Sequence, residues 1–121
     1  MHSFSGHTAR VNSVAFSENG YYMASASDDG SVKVWDLRKL EELTSIASGA
    51  PAATCAAFDH SGKYLAYATE QGVTVVAVKE WSTPLVVLPT DGAATQLRFG
   101  PDAQFIAAGT AAGKLELFKL L

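Results

Sequence analysis

The chain has one cysteine in 121 residues, so it cannot form an internal disulfide, and nothing in it supports a disulfide-stapled secreted fold. It also has little charge. Charged residues make up 17% of the sequence, and twelve acids against nine bases leave a net charge of −3. A basic footprint for nucleic acid or for an anionic membrane surface is therefore missing. The one basic cluster, Arg38-Lys39, is followed at once by Glu41-Glu42 and reads as a solvated turn. No apolar run approaches the roughly 20 residues that a membrane-spanning helix needs. The opening residues MHSFSGHTAR have neither the charged nor the apolar region of a signal peptide, and the expected location is cytosol or nucleus. Helical periodicity is absent too, because Gly or Pro interrupts every candidate stretch. Three scattered histidines and one cysteine give no metal-ligand spacing. The acidic stretch DDGS lacks the series of acids and the terminal glutamate of a calcium loop. No cofactor and no metal are expected.

What is present is a repeat. The segments VNSVAFSENGYYMASASDDGSVKVWDL, ATCAAFDHSGKYLAYATEQGVTVVAV and ATQLRFGPDAQFIAAGTAAGKLELFKL align with one another. Phe16, Phe58 and Phe99 lie 42 and 41 residues apart, and so do Tyr22, Tyr64 and Phe105, and Gly30, Gly72 and Gly113. Within each unit SENG, DHSG or GPDA supplies a polar turn, and DDG, EQG or AAG a second one. The stretches between them are rich in β-branched, aromatic and small residues, as strands are. The runs LTSIA and LVVL supply a further strand. Four short strands in roughly 40–45 residues is the period of a propeller blade. Both faces of such a blade pack on neighbours, so its inner strands are apolar or small on both sides instead of cleanly alternating.

Gly6-His7 and Trp35-Asp36, with SASDDG between them, resemble a complete WD repeat. The fold expected is all-β, with about three four-stranded antiparallel WD-repeat propeller blades over residues 1–121. The units fall near 4–40, 41–82 and 83–121. The blocks FSENGYYMASASDDGSVKVWDLRKL, FDHSGKYLA, KEW and FGPDAQFIA further resemble the C-terminal propeller blades of the pre-mRNA-processing factor 19 family. That family consists of spliceosome-associated U-box ubiquitin ligases. The stretches SGAPAAT and GTAAGK depart from its pattern.

Several expectations come with that resemblance. The chain would be the last three blades of a seven-bladed ring, without the U-box and coiled coil of family members. Its partners would be proteins, either spliceosomal subunits or ubiquitination substrates, together with the remaining blades of the ring, with no direct contact to nucleic acid or membrane. Its place would be the nucleus, in pre-mRNA splicing, ubiquitin conjugation and DNA repair. A generic WD-repeat adaptor outside splicing is the alternative. A catalytic step would belong to the U-box, so no catalytic residue is assigned in this chain.

The family also assigns side chains. A buried network links a histidine of the incoming loop, a strand serine, a turn aspartate and the tryptophan, here His7, Ser25, Asp29 and Trp35. The second unit has Gly49, Tyr67 and Gln71 in those places, with Val76 or Ala77 for the tryptophan, and the third has Thr90, Ala108, Ala112 and Phe118. Partner contacts on the narrow face map to Arg10, Asn12 and Asp28. They map to Ala52, Thr54 and Glu70 in the second unit and to Ala93, Thr95 and Ala111 in the third.

Serine, histidine and aspartate together also raise a small hydrolase as a remote reading. A buried indole N–H needs an acceptor, however, and Ser25 at this spacing can supply it while bonding onward to His7 and Asp29. Cys55 lies in the apolar ATCAAF and His60 in the turn DHSG, so strand and turn do not aim the two at each other. A free cysteine in such a setting behaves as a small hydrophobe.

Overall fold

The computed structural model describes residues 3–90, 92–100, 104–110 and 113–120. Every regular element among them is a β-strand. The first sheet contains β1 (Val11–Phe16), β2 (Tyr22–Ser27), β3 (Ser31–Asp36) and β4 (Glu41–Ala47). The second contains β5 (Ala53–Phe58), β6 (Tyr64–Thr69), β7 (Gly72–Ala77) and β8 (Glu80–Leu88). The third has three strands, β9 (Ala94–Phe99), β10 (Phe105–Thr110) and β11 (Leu115–Lys119). Strands within each sheet follow chain order and pair antiparallel. These are WD-repeat propeller blades, and we number them 1 to 3.

Turn chemistry places the strands. Ser17-Glu18-Asn19-Gly20 closes the β1–β2 hairpin, with Tyr22 N–H donating to Ser17 Oγ at 3.0 Å and Gly20 at φ 77°. Asp59 repeats the device in blade 2, where its carboxylate accepts from the N–H groups of Ser61 and Tyr64. The corresponding turn of blade 3, at residues 101–103, lies outside the described residues. Between β2 and β3 the chain turns at Gly30, whose φ of 85° and whose approach to Ala50 O leave no room for a side chain. A Cβ there would sit 2.6 Å from that oxygen.

The core lies between blades. One cluster joins the trailing face of blade 1 (Ala24, Ala26, Val32, Val34) to the leading face of blade 2 (Ala56, Leu65, Tyr67, Val76). A second joins the trailing face of blade 2 (Cys55, Ala57, Ala66, Ala68, Val73, Val75) to the leading face of blade 3 (Leu97, Ile106, Ala108). A strand buried on both sides has to be apolar or small at every position, which is why YMASAS and YLAYAT do not alternate cleanly. The pairing also chooses between Val76 and Ala77. Met23 faces Trp35 across the β2–β3 pair, as Leu65 faces Val76 and Ile106 faces Phe118 across theirs. Val76 therefore holds the tryptophan position in blade 2.

Candidate functional site

The leading face of blade 1 has no blade packed on it among the described residues, and part of it is covered by the segment before β1. Phe4 packs on Trp35 with ring centroids 4.9 Å apart. Beside it His7 reaches between strands. One ring nitrogen, Nδ1, lies 2.8 Å from Asp29 Oδ2, and the other, Nε2, lies 2.7 Å from Ser25 Oγ. Trp35 Nε1 donates to the same Ser25 Oγ at 2.9 Å. Burial pushes the Asp29 carboxyl up, but hydrogen bonds from Ser31, His7 and Thr8 outweigh it and hold the group well below the usual aspartate range. Asp29 is therefore an ionised acceptor. In the neutral imidazole the proton then sits on Nδ1, and Nε2 accepts from Ser25. The chain of donors runs from indole to hydroxyl to imidazole to carboxylate.

Ser25, His7 and Asp29 thus stand in the order of a hydrolytic triad. Burial and the indole decide what they can do. Ser25 is 4% exposed, and the N–H of Trp35 caps its oxygen. A nucleophile needs an open approach and a place for an oxyanion, whereas this hydroxyl is enclosed. Its arrangement joins the incoming loop to β2, β3 and the turn between them.

Ser31 is a member that the sequence reading overlooked. Its N–H and its hydroxyl both donate to Asp29 Oδ1, at 2.9 and 2.6 Å. The signal was there in DDGS, where a serine two residues after an aspartate suits a local side-chain turn. The corresponding positions in blades 2 and 3 differ. Tyr67 and Val76 are buried against blade 1, and burial raises the Tyr67 hydroxyl above its usual pKa despite a hydrogen bond with Thr74. Gly49, Gln71 and Thr90 are solvent-facing or partly so. Ala108 is buried between blades 2 and 3 and Phe118 packs against the same cluster, while Ala112 lies outside the described residues.

The narrow-face positions sit where the innermost strands begin. Arg10 Nε donates to Asn12 Oδ1 at 3.2 Å and lies 3.5 Å from Asp28 Oδ2. Asn12 Nδ2 donates to Asp28 Oδ1 at 2.7 Å and to Ala53 O of blade 2 at 2.9 Å. Arg10, Asp28 and Glu70 are exposed. Thr54 is half-buried, with Oγ1 between Ala68 O at 3.2 Å and Ala94 O of blade 3 at 2.5 Å. Thr95 is exposed and donates to Gly109 O at 3.2 Å. Ala52 and Ala93 are partly buried, and Ala111 lies outside the described residues.

Asn12, Thr54 and Thr95 share a cause. Pairing skips from Val11 to Ser13 in β1, from Ala53 to Cys55 in β5, and from Ala94 to Gln96 in β9. Each of the three is the extra residue of a β-bulge, which re-aims its side chain out of the ladder. Asn12 and Thr54 are thereby aimed at the next blade.

Cys55 and His60 stay apart. Cys55 is buried and donates to Ala94 O at 3.5 Å, and burial pushes its thiol up to about 11. His60 is exposed and lies 3.5 Å from Glu18. An open groove of about 490 Å³ runs along β1, β5 and β9, lined among others by Phe16, Phe58, Phe99 and Arg98.

Residues 1–36 match the family described as WD domain, G-beta repeat. The chain is 42% identical over 97% of its length to Pre-mRNA-processing factor 19 homolog 2 of Arabidopsis thaliana. It is 42% identical over 95% of its length to Pre-mRNA-processing factor 19 of Oryza sativa subsp. japonica. It spans 23% of the length of each of these relatives. Target of rapamycin complex subunit wat1 of Schizosaccharomyces pombe is 27% identical over 98% of the chain and 38% of that protein. The chain therefore carries a WD repeat, resembles pre-mRNA-processing factor 19 across nearly its whole length, and has the blades of a protein-interaction scaffold.

Proposed function

We propose that this chain is the partner-binding propeller portion of a nuclear pre-mRNA splicing factor that works with ubiquitin ligation. The observation that carries the reading is the 42% identity to two proteins named for pre-mRNA processing, sustained over 95–97% of the chain. It extends through blades 2 and 3, where the WD-repeat side chains are lost, at 42% against 27% for the target of rapamycin complex subunit over a similar span. Ubiquitin transfer would belong to a U-box outside these residues. The part played by residues 1–121 is to hold spliceosomal subunits or ubiquitination substrates.

The surface we assign to partners is the end of the blades carrying Arg10, Asp28 and Glu70, with Thr95 exposed beyond them. Arg10 is 79% exposed at its side chain, and an exposed ion pair such as Arg10–Asp28 contributes only about 0–1 kcal/mol to the fold. Little stability is lost when a partner carboxylate takes the guanidinium instead, and an arginine can bind a carboxylate through two parallel hydrogen bonds. Asn12 and Thr54 support that surface from below, since their polar groups are engaged with the neighbouring blade.

The test immobilises the chain, exposes it to nuclear extract, and quantifies splicing-complex subunits by mass spectrometry. They should be enriched on the native chain, and Arg10→Glu should lower their recovery several-fold. Recovery that Arg10→Glu leaves unchanged would remove Arg10 from the surface, and an absence of splicing subunits would remove the splicing reading. The relative named as a target of rapamycin complex subunit supports a second reading, a WD-repeat adaptor outside splicing. Subunits of that complex in the same eluate, in place of splicing factors, would decide for it.

A further inference from the structure

A blade joint needs one donor from the bulge residue. Thr54 shows this, since its single hydroxyl reaches Ala94 O at 2.5 Å and so ties blade 2 to blade 3. Asn12 holds the same bulge position in blade 1 and makes the corresponding bond with one amide hydrogen, to Ala53 O at 2.9 Å. An amide has a second hydrogen and a carbonyl oxygen besides. Here the hydrogen goes to Asp28 Oδ1 at 2.7 Å, and the oxygen accepts from Arg10 Nε at 3.2 Å. Both bonds lie at the narrow end, and neither spans the joint between the blades.

The orientation of the amide follows from its neighbours. Turned over, its NH2 group would face the guanidinium, and its oxygen would face a carboxylate and a carbonyl. Asp28 is fixed as well, because its N–H donates to Arg10 O at 2.8 Å and its Oδ2 lies 3.5 Å from Arg10 Nε. The inner edge of the guanidinium is thus occupied. Its terminal nitrogens, Nη1 and Nη2, have no partner among the described residues, on a side chain that is 79% exposed. Where the arginine is absent the amide is absent too, for the matching positions hold Ala52 with Thr54 and Ala93 with Thr95. Every group that fixes Arg10 belongs to blade 1 or to its joint with blade 2, so the arrangement owes nothing to either end face.

We infer that Asn12 is the positioning residue of this surface, and that the surface takes one acidic side chain of a partner end-on, across Nη1 and Nη2 of Arg10. The inference rests on the assignment of partners to this end of the blades. A guanidinium can hold a carboxylate through two parallel hydrogen bonds along an edge that includes Nε or along the edge made by the two terminal nitrogens. With Nε held by Asn12 the outer edge remains, and a carboxylate reaches it without displacing Asp28. The neighbours narrow the choice of partner further. Asp28 and Glu70 are exposed acids at the same end, and further acids brought beside them are repelled. The segment that fits carries a lone acid with basic residues around it.

The experiment is nuclear magnetic resonance of the full chain, with acetate as the carboxylate probe and chloride as the ionic-strength control. The chain has three arginines, so the side-chain signals of Arg10 can be assigned from their loss in Arg10→Lys. Acetate should shift the terminal-nitrogen signals of Arg10 and leave its Nε–H nearly in place. Asn12→Thr keeps a hydroxyl donor of the kind that Thr54 uses at its joint, and circular dichroism establishes that the variant keeps its strands. In that variant the Nε–H should move together with the terminal signals, and acetate should bind several-fold more weakly. A peptide with one glutamate among lysines should bind more tightly than its glutamine counterpart or a run of glutamates. Acetate that moves the native Nε–H as far as the terminal signals overturns the inference. So does a titration that Asn12→Thr leaves unchanged, an absence of acetate binding at Arg10, or a preference for the glutamate run. Splicing subunits missing from the nuclear-extract experiment would remove the splicing reading alone, because the acetate readout names no partner.

Discussion

Blades 1 and 2 have the same strand order, the same bulge in the innermost strand and matching turns, yet they secure their leading faces by different chemistry. In blade 1 the face is polar at its centre, where Ser25 and Trp35 are tied to His7 and Asp29 under a lid formed by Phe4. In blade 2 the same two positions hold Tyr67 and Val76, packed on the alanines and valines of blade 1. The requirement common to both is that the face be filled with its polar groups satisfied. A preceding blade can fill it with hydrocarbon. In blade 1 the segment before β1 brings Phe4 onto Trp35, and the hydrogen bonds through His7 satisfy the polar groups beside it.

The contrast can be tested from its strongest member downward. Trp35→Ala removes both the stacked indole and a donor, and should cost about 3–5 kcal/mol in urea unfolding. Val76→Ala at the same position of blade 2 should cost about 2 kcal/mol, from two buried methyl groups and the cavity they leave. Equal losses would break the distinction. Next, Ser25→Ala should cost about 1–3 kcal/mol, because it strands the indole N–H and a ring nitrogen of His7 in a buried place. Tyr67→Phe, which removes only a hydroxyl from blade 2, should cost at most about 1 kcal/mol.

Acid should expose the same asymmetry. Asp29 titrates well below the ordinary aspartate value of about 3.9 in the folded chain. The unfolded chain therefore binds more protons below about pH 4, and the stabilisation from Asp29 is complete above that pH and drains away as pH falls. The gap in stability between native chain and Asp29→Asn should narrow on acidification, as read from unfolding midpoints in an acid series. The smallest effects belong to the bulges. Asn12→Ala and Thr54→Ala should each cost about 1 kcal/mol, and Thr95→Ala no more than about 0.5 kcal/mol. A loss at Thr95 as large as that at Thr54 would mean that the bond from Thr54 to Ala94 O contributes little.

Much of this was legible in the residues. The equal offsets of the marker aromatics and glycines located the units, and the turn residues divided them into strands. Four members of the blade 1 network followed from a resemblance that preserves their spacing. Ser31 was missed because its role depends on where Asp29 turns its carboxylate, which the run DDGS does not show by itself. The bulges were not legible at all. A register slip is a property of two strands together, and nothing in VNSVAF or ATCAAF marks the residue that β2 or β6 will leave unpaired. Asn12, Thr54 and Thr95 were therefore expected only as surface contacts, whereas two of them turn toward the next blade. Nor could Val76 be separated from Ala77 until the β6–β7 pairing was known.

Cys55 offers a consequence of a practical kind. Its sulfur is closed between blades 2 and 3 and bonded to Ala94 O, and with a thiol at about 11 it is almost wholly protonated at neutral pH. A thiol reagent meets a reactive sulfur only when that joint opens. As the lone cysteine of the chain, it is a built-in clock whose labelling rate counts the breathing of one seam in the molecule.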